Sequence, residues 1–319
     1  MSRKKTLQRK LFLILRIGTS ILLLSVLFWR FDWATLIQVM QRGRWTYLAG
    51  PILCFWGGFW LSGLRWQEVL RGMDLHLGLR KLLILNLEGF FWNNFLPSTI
   101  GGDGYRFLKL SRLYPAHRAG VLASVFLDRL YGYLTLLGIH LLLLPFLTPF
   151  LQGQRVLMGI EGGMVAGVVV FVFFWRARHT WIERLGAWIE GVAWIRDKVS
   201  RVLEMMAGCS RVTMARSTIY SGGFVVLNGL ALWFYLRALD VSLPFLPVLY
   251  ASTLAAVLGA LPLSLNGLGL MELALVLALS PWGVLREEVL LAAFLLRGVN
   301  MVMAVPGGVL YLLDSWLAA

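Results

Sequence analysis

The sequence predicts an all-α polytopic membrane protein: about six full spans plus two re-entrant helical hairpins, arranged as inverted repeats. Three observations point there. First, 59% of the 319 residues are hydrophobic and the mean hydropathy is +0.74, above the range of soluble domains. Second, the apolar residues form continuous runs near the roughly 20 residues that span a bilayer. They do not alternate, which argues against a β-barrel. Third, the formal charge of +14 is unevenly placed. Stretches 1–10, 65–81, 106–118 and 176–216 hold 21 of the 30 Lys and Arg residues. Cations concentrated in loops follow the positive-inside rule, so the charge does not call for a nucleic-acid partner. Those four stretches are expected on the cytoplasmic side.

The full spans are expected at about Leu11–Phe28, Trp45–Leu64, Ala119–Leu147, Val156–Trp175, Thr218–Leu236 and Val289–Leu313. The first follows a basic N-terminus with no small-residue cleavage site and reads as a retained, N-in signal anchor. Cys54 and Cys209 fall in an apolar span and a basic segment, so no disulfide or zinc site is expected. Residues 177–206 carry apolar positions at helical spacing from Trp181 to Val202. They read as an amphipathic helix on the cytoplasmic leaflet or as a helical hairpin packed on the protein.

Two apolar segments are short and end in polar breaks. Leu82–Leu96 runs into Pro97 and Phe245–Leu261 runs into Pro262. The breaks read LPSTIGGDG from Leu96 and LPLSLNGLG from Leu261, so both fit LPxxxxGxG at an offset of 165 residues. With the N-terminus inside, the first broken segment (82–106) enters and leaves on the cytoplasmic side. The second (245–280) does so on the outer side. The single transmembrane domain (1–319) then divides into repeats 1–150 and 155–319. Each repeat has three spans and one hairpin, an odd number of spans that inverts one half relative to the other, as in many transporters.

A helix broken within lipid exposes amides and carbonyls that water cannot reach. Such a break is expected to line a cavity, where glycine loops and half-helix N-termini favour anions. The candidate binding residues are therefore Asn94, Pro97, Gly101, Gly102, Asp103 and Arg106 in the first loop. Gly267, Gly269 and Glu272 are their counterparts in the second. Asp103 and Arg106 share a helix face. Either Arg106 contacts a lipid phosphate while Asp103 holds or gates it, or the two form a salt bridge that caps a helix start. Asp128 and Arg129, about ten residues into their span, face a cavity or, if the helix begins later, the headgroups. Glu88 raises the same question. Glu272 is placed to cap a half-helix, with Arg297 and Asn300 in the last span as counter-groups. His140 is expected as a satisfied histidine between helices. No GxxxxGK[ST], HExxH or GxSxG sequence occurs, and neither cofactor nor metal is expected.

The motifs NNFLPSTIGGDGYR, ASVFLDRLYG and LPLSLNGLGLMELALVLAL resemble the flippase-like transmembrane family named for lysylphosphatidylglycerol synthase, over nearly the whole chain. The resemblance implies movement of an aminoacylated phospholipid between leaflets, and it carries those site roles over by motif position. Some members add a soluble synthetase or glycosyltransferase domain; with the chain ending at Ala319, none is expected here. The family often has Arg before the Glu that follows its second glycine loop; here Met271 stands there.

The expected function is a lipid flippase or transporter in the inner (plasma) membrane. Its partner is a membrane lipid with an anionic or phosphate-bearing headgroup. A homo-oligomer or a lipid-synthesising partner is compatible with the sequence. The alternatives are a membrane-embedded enzyme acting on a lipid or polyprenyl-phosphate headgroup, and an accessory subunit that presents lipid. In the enzyme, Asp103 or Asp128 would be the base and Arg106 the phosphate clamp.

Overall fold

A computed structural model describes residues 33–95, 101–151, 154–176 and 210–317, with five isolated positions between 18 and 25. The span expected at Leu11–Phe28 falls almost wholly outside them. Pro97 and the 177–206 segment lie entirely outside them.

The described residues form helices and no strands. In chain order these are α1 (Trp33–Arg42), α2 (Ala49–Arg71), α3 (Leu79–Phe95), α4 (Gly101–Leu113), α5 (Arg118–Leu151), α6 (Arg155–Arg176), α7 (Arg211–Ala238), α8 (Phe245–Ala260), α9 (Leu270–Leu279) and α10 (Arg286–Leu317). Four of the five later spans read from the sequence lie inside one of these, and Trp45–Leu64 begins in a 3-10 turn (Trp45–Leu48) and continues in α2. By length and composition, five stretches can cross a membrane: Trp45–Arg71, Pro115–Leu147, Arg211–Ala238, Leu265–Trp282 and Arg286–Leu313. The chain is a multi-pass all-α membrane protein. Its exterior is correspondingly oily: Leu53, Leu142 and Ile219 are 72%, 71% and 69% exposed, as lipid-facing residues are.

Both broken segments are helical pairs. In the first, Asn93 meets Gly102 and Glu88 meets Tyr105 and Lys109, so α3 and α4 run antiparallel. Gly102 is required by this approach, because a Cβ there would overlap the Gly89 carbonyl and the Asn93 side chain. In the second, α8 and α9 are joined by a break in which Asn266, Gly267 and Gly269 adopt φ of 48°, 70° and 83°. That left-handed backbone is costly for most residues, which accounts for Asn and Gly there.

Moving α2, α3, α4 and α5 forward by 165 residues lands them on α7, α8, α9 and α10. Leu79–Phe95 becomes 244–260 against Phe245–Ala260, and Arg118–Leu151 becomes 283–316 against Arg286–Leu317. The equivalent helices α2 and α7 pack on each other through small residues. Gly50 faces Phe234, Gly57 faces Leu227, Gly58 faces Phe224, and Gly223 faces Leu61. Rising numbers on one helix meet falling numbers on the other, so the two run antiparallel. Small residues that let helices approach closely are the usual contact where lipid offers no hydrophobic drive. One apolar cluster forms around Trp66, Leu82 and Leu110, under the first hairpin. A larger one forms around Tyr250, Leu254 and Ala274, under the second.

Gly102 and Gly104 separate close packing from local propensity. A Cβ at Gly104 meets open space. Gly102→Ala is expected to lower stability by about 1–3 kcal/mol, the usual cost of overpacking, while Gly104→Ala leaves it unchanged or slightly higher. Thermal unfolding in detergent reads both, and equal behaviour of the two variants would refute the α3–α4 approach.

Candidate functional site

The two hairpins share one cavity of about 510 Å³. Asn86, Asn93 and Asn94 of α3 and Arg106 of α4 line it from one side. Ser252 and Gly259 of α8, Asn266 of the break and Glu272 of α9 line it from the other. Helices α2, α5, α7 and α10 complete the wall with Arg65, Asp128, Arg129, Asn228, Arg297 and Asn300.

Five charged side chains form an alternating chain at the first hairpin. Arg65 Nε donates to Asp128 Oδ1 at 2.7 Å, and Arg106 Nη2 donates to Asp128 Oδ2 at 3.0 Å. Arg106 Nη1 reaches Asp103 Oδ1 at 3.3 Å, and Arg129 grips Asp103 with Nε and Nη2 at 2.8 and 2.9 Å. The Arg106 guanidinium also lies 3.8 Å from the centroid of the buried Trp66 ring, a cation–π position. Three guanidinium groups and two carboxylates leave one positive charge in excess. Such an excess within a helical bundle is expensive and marks a functional candidate. The carboxylates are deeply held: the Asp128 side chain is 1% exposed. Arg129 is the most open member of the chain, with 37% of its side chain exposed.

The second hairpin carries a neutral pair. Arg297 Nε donates to Glu272 Oε1 at 2.5 Å, and its Nη2 donates to the Gly267 carbonyl at 3.1 Å. Glu272 Oε2 accepts from the Gly269 amide at 2.8 Å. Glu272 therefore caps α9, as its position in the first turn suggests, and Arg297 is its counter-charge. Where the family often has Arg, Met271 instead presses on Gly259 of α8. The guanidinium of this half comes from the last helix.

These contacts correct one part of the sequence reading. Glycine-loop amides favour an anion, and only the second half-helix has a foreseen cap, Glu272. The Gly102 amide is instead taken by Asn93 Oδ1 at 2.8 Å and the Gly269 amide by Glu272. Lipid offers no solvent to satisfy a broken helix, so protein side chains have closed these groups. Asn94 Nδ2 likewise donates to the Phe90 carbonyl of its own helix. Gly101, Gly102, Asp103, Gly267 and Gly269 stand behind the cavity wall, whereas Asn94, Arg106, Asp128, Arg129 and Glu272 are part of it. Both readings of Asp103 and Arg106 meet here. They form the salt bridge in the first turns of α4, and Arg106 also faces the cavity. Asp128 and Arg129 belong to the cavity.

Sequence reasoning missed Arg65, assigned to a cytoplasmic loop but buried on α2 against Asp128. Its signal was the uninterrupted helical stretch through Arg71. The buried Asn86 and the half-buried Asn93 were also missed. Glu88 is fully buried and pairs with Lys109 at 2.7 Å, with Tyr105 donating to it, so it clamps the first hairpin.

The family described as Lysylphosphatidylglycerol synthase TM region matches residues 13–308. A search of curated proteins finds no match.

Asp128→Asn would leave Arg65 and Arg106 sharing a neutral amide. Breaking a buried pair costs about 3–5 kcal/mol, and a loss of that order is expected in detergent unfolding. Adding Arg65→Gln to Asp128→Asn is expected to recover part of it. Additive losses in that double-mutant cycle would contradict the shared-carboxylate arrangement.

Proposed function

The chain belongs to the Lysylphosphatidylglycerol synthase TM region family, a membrane family connected with lipid handling, and from that premise we propose that it moves an anionic, phosphate-bearing lipid between leaflets. The headgroup passes through the shared cavity while the acyl chains stay in the bilayer. The observation that carries this reading is the guanidinium excess on the cavity wall: Arg65, Arg106 and Arg129 against Asp103 and Asp128.

Arg129 is the first contact for phosphate, because it is the most exposed of the three and its planar fork suits a bidentate oxyanion. Arg106, stacked on Trp66 and held by two carboxylates, acts mainly to set the potential. Two donors on cavity-lining residues support a ligand as well. Asn86 Nδ2 and Arg106 Nε are buried and have no acceptor among the described residues, an expensive condition that a ligand or water oxygen relieves. Every cavity carboxylate among the described residues is already paired with arginine, which disfavours a cationic headgroup extension.

The hairpins are read as re-entrant and the halves as inverted. The 165-residue register of the helices supports this, as does the antiparallel pairing of the equivalent helices α2 and α7. Inverted repeats meeting at a polar cavity suit alternating access. The basic clusters support a cytoplasmic N-terminus and a first hairpin on the same side.

In proteoliposomes, fluorescent phosphatidylglycerol is expected to cross faster than it does in protein-free vesicles. Arg129→Gln should slow crossing about tenfold, the worth of one charge-assisted hydrogen bond. Unchanged crossing in that variant, or equal crossing of zwitterionic phosphatidylcholine, would overturn the assignment.

A further inference from the structure

A second polar cluster lies away from the arginine chain, among helices α5, α6 and α8. His140 is fully buried, and its ring is stacked on Tyr250 at 5.1 Å between centroids. His140 Nε2 is 3.0 Å from Glu161 Oε2, and Tyr250 donates its hydroxyl to Glu161 Oε1 at 2.7 Å. His140 Nδ1 is 2.8 Å from Thr253 Oγ1, and Thr253 donates its single hydroxyl hydrogen to the Tyr250 carbonyl at 2.8 Å.

A hydroxyl has one hydrogen, and Thr253 Oγ1 lies within reach of both the Tyr250 carbonyl and His140 Nδ1. When Thr253 donates to the carbonyl, the hydrogen between it and His140 comes from Nδ1. With a second hydrogen between Nε2 and Glu161, the pair then holds one proton more than a neutral imidazole facing an ionised carboxylate. When Thr253 donates to Nδ1, the same positions hold the neutral ring. We propose that His140 and Glu161, with Tyr250 and Thr253, form a membrane-embedded proton-binding site whose occupancy sets the local shape of α8.

The site has a satisfied state on each side of the titration. On release, a proton leaves Nδ1 for water. The Thr253 hydroxyl then turns from the Tyr250 carbonyl to Nδ1, while Nε2–H continues to donate to Glu161. No polar group is stranded, but Glu161 keeps its negative charge, and α8 loses a side-chain bond to its own backbone. Threonine back-bonds of this kind bend helices. Ser252, Ala255 and Ala256 of the same helix line the cavity, so the change is delivered to the cavity wall.

The groups that face His140 are Glu161 from α6 and Tyr250 and Thr253 from α8. The surrounding cluster draws on α7, α9 and α10 through Leu232, Leu275 and Val289, with Tyr235 of α7 its other phenol. The proton site does not depend on which molecule occupies the cavity.

The test is nitrogen-15 NMR of the histidine-labelled protein in liposomes. The chain has four histidines, so His76→Gln, His117→Gln and His179→Gln leave His140 as the single reporter. As the pH is raised, the doubly protonated ring should convert to the Nε2–H form with release of one proton per chain. Glu161→Gln, whose amide can donate to Nε2, should abolish the doubly protonated form. In a Cys54→Ala, Cys209→Ala background, the thiol reactivity of Ser252→Cys should follow the same titration and lose its pH dependence with Glu161→Gln. A ring that keeps one form throughout, or a Glu161→Gln protein that titrates like its parent, overturns the site. Thiol reactivity that ignores pH overturns the link to α8. If Glu161→Gln does not fold, the NMR titration of the parent still decides the first point.

Discussion

Asp128 lies where α2, α4 and α5 meet, and its two oxygens accept from Arg65 and Arg106. Two guanidinium groups can sit that deep among apolar helices only while a carboxylate lies between them, since an unpaired buried charge carries a large desolvation cost. The position of Arg106 then fixes α4 against α3, and Asp103, one helical turn before it, holds Arg129. The first hairpin, the second helix and the long α5 are thus placed by one chain of charge-assisted hydrogen bonds. Four members of that chain, Arg65, Arg106, Asp128 and Arg129, line one side of the cavity.

The same constraint acts on the broken backbones. Within hydrocarbon a helix end must find its partners in protein. Asn93 supplies one for the first break, and Glu272 and Arg297 supply them for the second. The two breaks share a backbone plan but solve the problem with different residues. Because the second is closed by a neutral pair, the positive potential lies at the first. A cavity with one charged wall and one closed wall is suited to holding an anion from one side.

The polar groups that do not face the cavity have separate roles. Glu88 with Lys109 and Tyr105 binds the two arms of the first hairpin to each other. Glu161 ties α6, which is otherwise largely exposed, to α5 and α8.

Much of the architecture was legible in the sequence. Apolar run lengths located the helices, and the LPxxxxGxG spacing marked both breaks with the right 165-residue register. Hydropathy and glycine chemistry act locally, so they survive in a one-dimensional reading. Glu272 as a cap, Arg297 as a counter-charge and His140 as a satisfied histidine were legible for the same reason: each is a lone polar group in an apolar run, and such a group needs a partner. The choice of partners was not legible. Arg65 read as a loop cation because its carboxylate is 63 residues away on another helix. The Gly102 amide read as open to an anion because Asn93 looked like an ordinary polar residue. Burial in a medium without water makes pairing obligatory, but only the packing of distant helices decides which groups pair.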